Sequence, residues 1–363
     1  PGRFQVTALA ARSKSSELLN LAKRFGAKYA CLAEPSAETT KLYRAEGIEL
    51  AAGTAGLESM AELPGIDHVV FASSGTDAVT ALQKALTADK DVSLANKESI
   101  VATGPWIMPL IRRPDQLRPL DSEHSAIWQC LRGEPEKSPS RITLTASGGP
   151  FRDYSTEQMR HITPEDALRH PVWNMGPKIT VDSANLMNKG IECIEAMQLF
   201  DMPPDRVGAV VHPGSFVHGI VEFCDATMKM LSYKPDMRIP AACALGWPER
   251  LPIGGEGEFA APERDRWSLE FQTPDTARFP CLALALEAAK RGYAYPPLLV
   301  GADESAVRAF LDKRIPFLAI SNIIESILEK YSGQNPSNIN DAVELIALGE
   351  RLAEDACKEI SGR

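Results

Sequence analysis

The chain has 363 residues, 44% of them hydrophobic, which allows two or three domains with buried cores. A formal charge of −9 argues against a nucleic-acid partner, because no basic patch stands above the acidic background. No apolar run is long enough to span a membrane and the first residues do not form a signal peptide, so we expect a soluble chain with no membrane partner. The seven cysteines include no Cys-x-x-Cys pair, which predicts reduced thiols and a cytoplasmic location.

The first third of the chain alternates β-branched runs with helical stretches. Strands are predicted at residues 4–10, 29–33, 68–72 and 92–95, and a helix at residues 15–25 is ended by Gly26. Such alternation is typical of βαβ units, so we predict an α/β, Rossmann-like domain with a doubly wound, mostly parallel sheet. No Gly-rich phosphate loop precedes the first strand, and we expect that one βα unit of such a domain is missing from the chain as given.

Basic residues follow the first predicted strand. Arg12 and Lys14 at the carboxyl end of a strand suit the 2′-phosphate of NADP, where an acidic residue would suit NAD. The other interpretation is that both are ordinary solvated loop charges.

Turns rich in proline and arginine after Trp106 indicate the first domain boundary. The predicted segments are a nucleotide-binding domain at 1–112, an α+β catalytic domain at 113–250, a linker at 251–275 and a helical domain at 276–363. Helical spacing of apolar residues predicts the C-terminal helices at 281–291, 304–311, 320–331 and 341–359.

The stretch from Lys178 to Glu192 is predicted to run from a β-branched strand through a polar turn into a helix. Such a turn gathers backbone N–H groups and the positive end of the helix dipole, which favours an anion. Ser183, Asn188 and Lys189 add donors there, and Glu192 falls on the same helix face as Lys189. An exposed helical ion pair beside a capping residue is the other interpretation.

Asp121 and Glu123 are candidate metal ligands. Their i, i+2 spacing in an extended segment places both carboxylates on one face, where they can bind Mg²⁺ or Mn²⁺. Glu192 as a third ligand would leave coordination positions for substrate oxygens. A solvated acidic pair has the same pattern.

Five further residues are candidates for ligand contacts. Ser147 lies in a Ser-Gly-Gly turn that lets the backbone approach a ligand, and His170 opens a loop whose Trp173 and Met175 can close over one. Lys97 follows a buried-looking strand, where Rossmann-like sheets place ligand contacts. The alternatives are a tight turn, a tryptophan packed on its own domain and a solvated lysine. His212 and His218 fit hydrogen-bonded structural histidines better than metal ligands.

Six motifs occur in a specific order along nearly the whole chain. They are Leu94-Ala-Asn-Lys-Glu-Ser99, Asp121-Ser-Glu-His124, Ser147-Gly-Gly-Pro-Phe-Arg152, His170-Pro-Val-Trp-Asn-Met-Gly176, Asp182-Ser-Ala-Asn-Leu-Met-Asn-Lys-Gly190 and Pro235-Asp-Met-Arg238. Together they resemble the 1-deoxy-D-xylulose 5-phosphate reductoisomerase family. The resemblance implies a homodimeric enzyme of isoprenoid precursor synthesis that needs NADPH and a divalent cation.

The resemblance also implies roles for individual residues. The metal ligands would be Asp121, Glu123 and Glu192, and the catalytic residues Glu123, Lys189 and Glu192. Substrate contacts would fall on Lys97, Ser122, Glu123, Ser147, His170, Trp173, Met175, Ser183, Asn188, Lys189 and Glu192. NADPH contacts would fall on Ala11, Arg12, Ser13, Asn96, Glu98 and Gly176.

The chain departs from the family pattern in places. Gly75-Thr-Asp-Ala-Val79 stands where a Gly-rich turn is usual, and Tyr233 stands in place of a small residue. Two other functions therefore stay open: an inactive paralogue that binds a sugar phosphate and a cation, and a metal-dependent sugar-phosphate isomerase or aldolase without hydride transfer. A plastid location is the alternative to the cytoplasm.

Overall fold

The structure is a computed structural model that describes residues 2–170, 172–173, 175–254 and 268–362. Its backbone contacts group the chain into two compact units. The first comprises the residues up to 99 with Pro109–Arg118, and the second comprises Ile100–Met108 with the residues from 119 onward. The domain bounds drawn from the sequence stay a prediction, and residues 255–267 of the predicted linker lie outside the described residues.

Strands and helices alternate in the first part of the chain, as predicted. The elements are β1 (Ala8–Ala11), α1 (Ser15–Phe25), β2 (Tyr29–Leu32), α2 (Ala37–Ala45), β3 (Glu49–Ala52), α3 (Gly53–Ala61), β4 (His68–Phe71), α4 (Val79–Thr87), β5 (Asp91–Leu94), α5 (Lys97–Ile107) and β6 (Leu117–Pro119). Helix α1 has the predicted bounds and ends at Gly26, whose φ of 69° lets its N–H reach the last carbonyls of the helix.

These strands form two three-stranded sheets, in the orders β1-β2-β3 and β4-β5-β6. The pairs β1–β2, β2–β3 and β4–β5 are parallel, so the predicted α/β class is confirmed. Because parallel strands end at the same edge, the loops after β4 and β5 lie side by side. Two of the predicted contact residues follow β5: Asn96 lies in the loop and Lys97 is the first residue of α5.

The second unit combines a mixed sheet with helices. Its elements up to residue 254 are α6 (Ser122–Leu131), β7 (Pro139–Ala146), α7 (Thr156–Met159), α8 (Pro164–Ala167), α9 (Pro177–Ala184), α10 (Met187–Leu199), β8 (Val207–Val211), β9 (Val217–Phe223), β10 (Met228–Ser232) and α11 (Arg238–Gly246). The sheet order is β10-β9-β7-β8, with β7 parallel to β8 and antiparallel to β9. Helix α6 packs against β9 and β10.

Four long helices complete the chain, which confirms the predicted helical region. They are α12 (Pro280–Arg291), α13 (Tyr295–Leu311), α14 (Ala319–Lys330) and α15 (Ile339–Ser361). Helix α13 starts nine residues before the predicted 304, because two prolines are tolerated in a first turn that needs no N–H partners. In the part of the chain that the structure covers, none of the helices has the length and apolar character to cross a membrane. None of the seven cysteines forms a disulfide, as predicted.

The predicted strand after Lys178 is wrong, because residues 177–184 form helix α9. Pro177 occupies the first helical position, and the Thr180 hydroxyl donates to the Gly176 carbonyl at 2.7 Å. Lys178 pairs with Asp182 one turn further on, at 2.7 Å. Burial of Thr180 and Val181 against the second unit's core thus outweighs their β propensity.

Candidate active site

Three carboxylates from two distant segments meet in the second unit. Asp121, Glu123 and Glu192 each offer an oxygen, and these oxygens all lie within 4.8 Å of one another. The structure therefore brings together the three residues predicted as metal ligands. Carboxylate oxygens at this spacing are the ligands that hard divalent cations prefer.

The predicted reason for the approach of Asp121 and Glu123 is wrong. They do not lie on an extended segment, because Asp121 is the N-cap of α6 and Glu123 lies in its first turn. The Asp121 carboxylate accepts a hydrogen bond from the Ser122 N–H at 3.1 Å. The positive end of the helix dipole favours negative charge here, so a helix start serves the purpose assigned to a strand.

Neighbouring donors hold these carboxylates in place. The Ser122 hydroxyl donates to Glu123 at 2.6 Å, and the Asn188 side-chain amide donates to Glu192 at 2.5 Å. The Lys189 ammonium lies 3.0 Å from Glu123 and also contacts Glu192. Asn188 and Lys189 thus contact the carboxylates, whereas the sequence predicted that they hold an anion.

The charges around this site favour a dication. Three carboxylates and one ammonium leave a net charge of −2 in a largely buried place. Burial raises the pKa of Glu123, and the nearby Glu192 and Asp121 raise it further against the opposing effect of Lys189. Burial lowers the pKa of Lys189, but the carboxylates of Glu123 and Glu192 more than offset it, so its pKa is raised and the ammonium keeps its proton. A divalent cation fits this donor set.

A second group of possible ligands shares one of these carboxylates. Asp121, His124 and Glu195 also offer atoms within 4.8 Å of one another. The His124 Nε2–H donates to the Glu192 carbonyl at 2.9 Å, and its Nδ1 lies 3.3 Å from the Glu195 carboxylate. Glu195 was not among the predicted residues, although its i, i+3 spacing from Glu192 is visible in the sequence.

Ser147, His170 and Ser183 come together from three segments. His170 Nε2 lies 3.2 Å from the Ser147 hydroxyl and 3.1 Å from the Ser183 hydroxyl. Three of the five predicted anion-binding residues therefore share one place. This place is not a helix N-terminus as predicted, because Ser183 lies in the last turn of α9 and the first N–H of α10, at Met187, is taken by Asn185.

The hydrogen bonds around His170 decide which ring nitrogen carries the proton. Nδ1 accepts from the backbone N–H groups of Val172 and Trp173, at 3.1 and 2.8 Å, so Nε2 carries the hydrogen. Burial lowers the pKa of His170, which keeps the ring neutral near pH 7. A neutral N–H and two hydroxyls form a donor set suited to an anion such as a phosphate.

Gly149 allows the Ser147 loop to approach α9. Its φ is 70°, and a Cβ at this position would lie 2.8 Å from the Ser183 carbonyl oxygen. The Gly149 N–H donates to the Ser147 hydroxyl at 3.2 Å. A residue with a side chain here would push the two serines apart.

The loop after His170 is partly described. The Trp173 ring makes an edge contact with His218, with ring centroids 6.3 Å apart. Met175 is half-buried, and Pro171 and Asn174 lie outside the described residues. The ring N–H groups of His212 and His218 donate hydrogen bonds to the backbone carbonyls of Glu270 and Tyr233, in agreement with their predicted structural role.

In the first unit, the predicted nucleotide contacts lie at the carboxyl ends of strands. The Asn96 amide donates to the carbonyls of Ser73 and Gly75, both at 2.7 Å, and so shapes the turn after β4. Arg12, after β1, pairs with Asp77 at 3.4 Å while both side chains remain exposed. Lys97 is 6% exposed, which excludes the solvated lysine considered for this position. These residues lie in a different unit from the carboxylates and Gly176.

The fold and these two side-chain sets define the class of the protein. It is an α/β enzyme that uses a hard divalent cation on an anionic substrate, with a nucleotide-type domain before its catalytic part.

Comparison with known proteins specifies the family. One family model for 1-deoxy-D-xylulose 5-phosphate reductoisomerase matches residues 1–104, and two models for the C-terminal domain of this enzyme match residues 117–200 and 232–350. The enzyme of this name from Chloroherpeton thalassium is 42% identical, covering 98% of this chain and 92% of its own length. The enzyme from Heliobacterium modesticaldum is 43% identical, covering 99% of this chain and 92% of its own length.

Solved structures agree with this result. The Zymomonas mobilis reductoisomerase in complex with NADPH superposes with a TM-score of 0.88 at 37% identity, covering 98% of this chain and 92% of that one. A reductoisomerase in complex with NADPH, fosmidomycin and magnesium superposes with a TM-score of 0.90 at 32% identity, covering 100% of this chain and 93% of that one. The chain belongs to the 1-deoxy-D-xylulose 5-phosphate reductoisomerase family. The comparisons support catalysis over the two other functions that the sequence left open.

Proposed function

We propose that this chain catalyses the NADPH-dependent rearrangement and reduction of 1-deoxy-D-xylulose 5-phosphate to 2-C-methyl-D-erythritol 4-phosphate, a step of non-mevalonate isoprenoid precursor synthesis. The observation that carries the proposal is the approach of Asp121, Glu123 and Glu192 beside Lys189, in a chain that matches relatives of this activity over nearly its whole length. The cofactors are NADPH and a divalent cation.

We assign Asp121, Glu123 and Glu192 to the cation. When bound, the cation polarises the ketone and stabilises the developing oxyanion of the substrate. Ser122 and Asn188 keep two of the carboxylates aimed by donating to them. Lys189 supplies a fixed positive charge that holds Glu123 and Glu192 together and keeps its proton throughout, because its pKa is raised.

We assign Ser147, His170 and Ser183 to the substrate phosphate. The His170 Nε2–H and the two hydroxyls would donate to phosphate oxygens at the end of the molecule remote from the ketone. Binding energy gained there positions the reacting carbons. Trp173 and Met175 lie in the loop that follows and would exclude water from the intermediates.

We assign the nicotinamide cofactor to the first unit, with Ala11, Arg12, Ser13, Asn96 and Glu98 as its contacts; Gly176 stays a predicted contact. NADPH supplies the hydride that reduces the rearranged aldehyde. Arg12 would turn from Asp77 to the 2′-phosphate, since the pair is exposed and such pairs hold weakly. The role of Lys97 as a substrate contact stays a prediction from the family resemblance.

Three further properties belong to the proposal. Mn²⁺ would serve as well as Mg²⁺, because both are hard cations that accept carboxylate ligands. The chain would act in the cytoplasm, in keeping with seven cysteines that form no disulfide. It would form a homodimer through β10, an edge strand of its sheet on which Met228 and Met230 are exposed. Light scattering after gel filtration should then give twice the chain mass of 39.5 kDa, and M230K should give a monomer.

The activity is tested by adding the pentulose phosphate and Mg²⁺ to the full chain and following NADPH absorbance. We expect oxidation that stops when a chelator removes the cation and resumes when Mn²⁺ is added. NADH in place of NADPH should react poorly. An absence of NADPH oxidation with either cation would refute the proposal.

A further inference from the structure

Tyr233 lies directly after β10, and its side chain reaches the first turn of α6. Its hydroxyl donates to the Ser122 carbonyl at 2.8 Å. Ser122 stands between Asp121 and Glu123, two of the three carboxylates assigned to the cation. The phenol therefore contacts the backbone segment that carries both of them.

The ring of Tyr233 is held from its other side by His218. The two rings stack with centroids 3.9 Å apart and an angle of 19° between their planes. The His218 Nε2–H also donates to the Tyr233 carbonyl, at 3.1 Å. Burial lowers the pKa of His218 to about 4, so the imidazole is neutral near pH 7 and can stack on the phenol without a charge. One histidine thus fixes both the ring and the backbone of Tyr233.

His218 has a second aromatic neighbour, which lies on the loop after His170. The Trp173 ring makes an edge contact with the His218 ring, with centroids 6.3 Å apart and an angle of 61° between the ring planes. The backbone N–H of Trp173 also donates to His170 Nδ1, and His170 is one of the residues assigned to the phosphate. A continuous line of contacts in the second unit therefore runs from His170 through Trp173, His218 and Tyr233 to Ser122.

We propose that Tyr233 is a positioning residue that fixes the Asp121–Glu123 turn for the cation and, through His218, supports Trp173 at the substrate. The hydroxyl and the ring have separate tasks. The hydroxyl anchors the turn by its hydrogen bond, and the ring fills the space between His218 and α6 and keeps water from the carboxylates. This inference rests on the proposed function, because it assigns Tyr233 a part in that reaction.

Two variants of the full chain separate the tasks. Y233F removes the hydroxyl and keeps the stack, so the Mg²⁺ concentration for half-maximal activity should rise about 3- to 10-fold while KM for the pentulose phosphate stays within about 2-fold. Y233A removes both, so KM should rise as well, by about 10-fold. Y293F, at an exposed tyrosine, is the matched control and should behave as the wild type.

Thermal unfolding without cation shows whether each variant is folded. If Y233A does not fold, Y233F decides alone, because it removes a single oxygen atom. A Y233F enzyme whose cation requirement equals that of the wild type would overturn the proposal. If the wild type itself oxidises no NADPH, the proposed function fails, and Mn²⁺ titration by calorimetry still tests this inference: equal affinity in wild type and Y233F would overturn it, and weaker affinity in Y233F would support it.

Discussion

The ammonium nitrogen of Lys189 lies 3.0 Å from a carboxylate oxygen of Glu123, although 66 residues separate the two in sequence. Lys189 also contacts Glu192, one turn further along α10. This contact joins α10 to the first turn of α6 and places one positive charge among three negative ones. The arrangement is balanced only when a dication is added, so we expect the stability and the activity of the chain to respond to the cation.

Replacing Glu192 with glutamine should remove turnover and leave the fold intact. The amide keeps the shape of the side chain but supplies no negative charge, so kcat should fall by about a thousandfold or more. Mg²⁺ should raise the thermal midpoint of the wild type and not that of E192Q. The measurements are NADPH oxidation and circular dichroism melts with and without Mg²⁺.

E329Q is the control for this experiment, since Glu329 is exposed on α14. It should match the wild type in both measurements. Unchanged turnover in E192Q would contradict the assignment of Glu192 to the cation.

Replacing Ser183 with alanine should weaken substrate binding with little effect on the chemical step. One hydrogen bond to a charged phosphate is lost, which corresponds to a rise in KM of about 10- to 100-fold. The exposed Ser59 on α3 offers a matched control in S59A. Steady-state kinetics with varied pentulose phosphate decide the question, and a KM equal to that of the wild type would remove Ser183 from the phosphate site.

Replacing Gly301 with alanine should destabilise the second unit. A Cβ at Gly301 on α13 would lie 1.9 Å from the Ile346 carbonyl oxygen on α15, so the two helices must separate. We expect the free energy of unfolding to fall by about 2 to 3 kcal/mol, although glycine to alanine usually stabilises a helix by about 1 kcal/mol.

Urea unfolding followed by circular dichroism measures this change. N322A, at an exposed position of α14, is the comparison and should be slightly stabilising, by about 0.5 kcal/mol. Equal stability of G301A and wild type would show that α13 and α15 tolerate separation.

His218 should make folding sensitive to acid. Its pKa is lowered to about 4 in the folded chain by burial, whereas an unfolded chain has the ordinary value of about 6.5. Between these pH values the unfolded state binds more protons than the folded state. His218 therefore contributes about 3 kcal/mol to the free energy of unfolding above about pH 6.5, and this contribution is lost as the pH falls towards 4.

Urea unfolding of wild type and H218N at several pH values isolates this contribution. H218N should be less stable at pH 7, because it loses the stack on Tyr233, but its stability should decline less between pH 6.5 and 4. Parallel pH curves for the two proteins would show that His218 is not the group responsible.

Much of the fold was visible in the sequence because it depends on local patterns. Helix α1 was predicted residue for residue, since its apolar spacing and the glycine after it are local signals. The strand prediction for residues 178–182 was wrong, because β-branched residues favour a strand locally while Pro177 and burial in the second unit's core select a helix. Asp121 and Glu123 were predicted to lie close together on an extended segment, and they do lie close together but at the start of a helix, since their spacing does not tell whether the segment is extended or helical.

By itself, the sequence determined the α/β class, the C-terminal helices and the cysteine state, because strand–helix alternation, helical periodicity and cysteine spacing can be read directly along the chain. Only the tertiary structure decided which groups meet. It placed Lys189 against Glu123, His170 between Ser147 and Ser183, and Tyr233 against Ser122. These contacts join residues 13 to 111 positions apart, and such pairings are set by the packing of whole helices and strands, which no local pattern encodes.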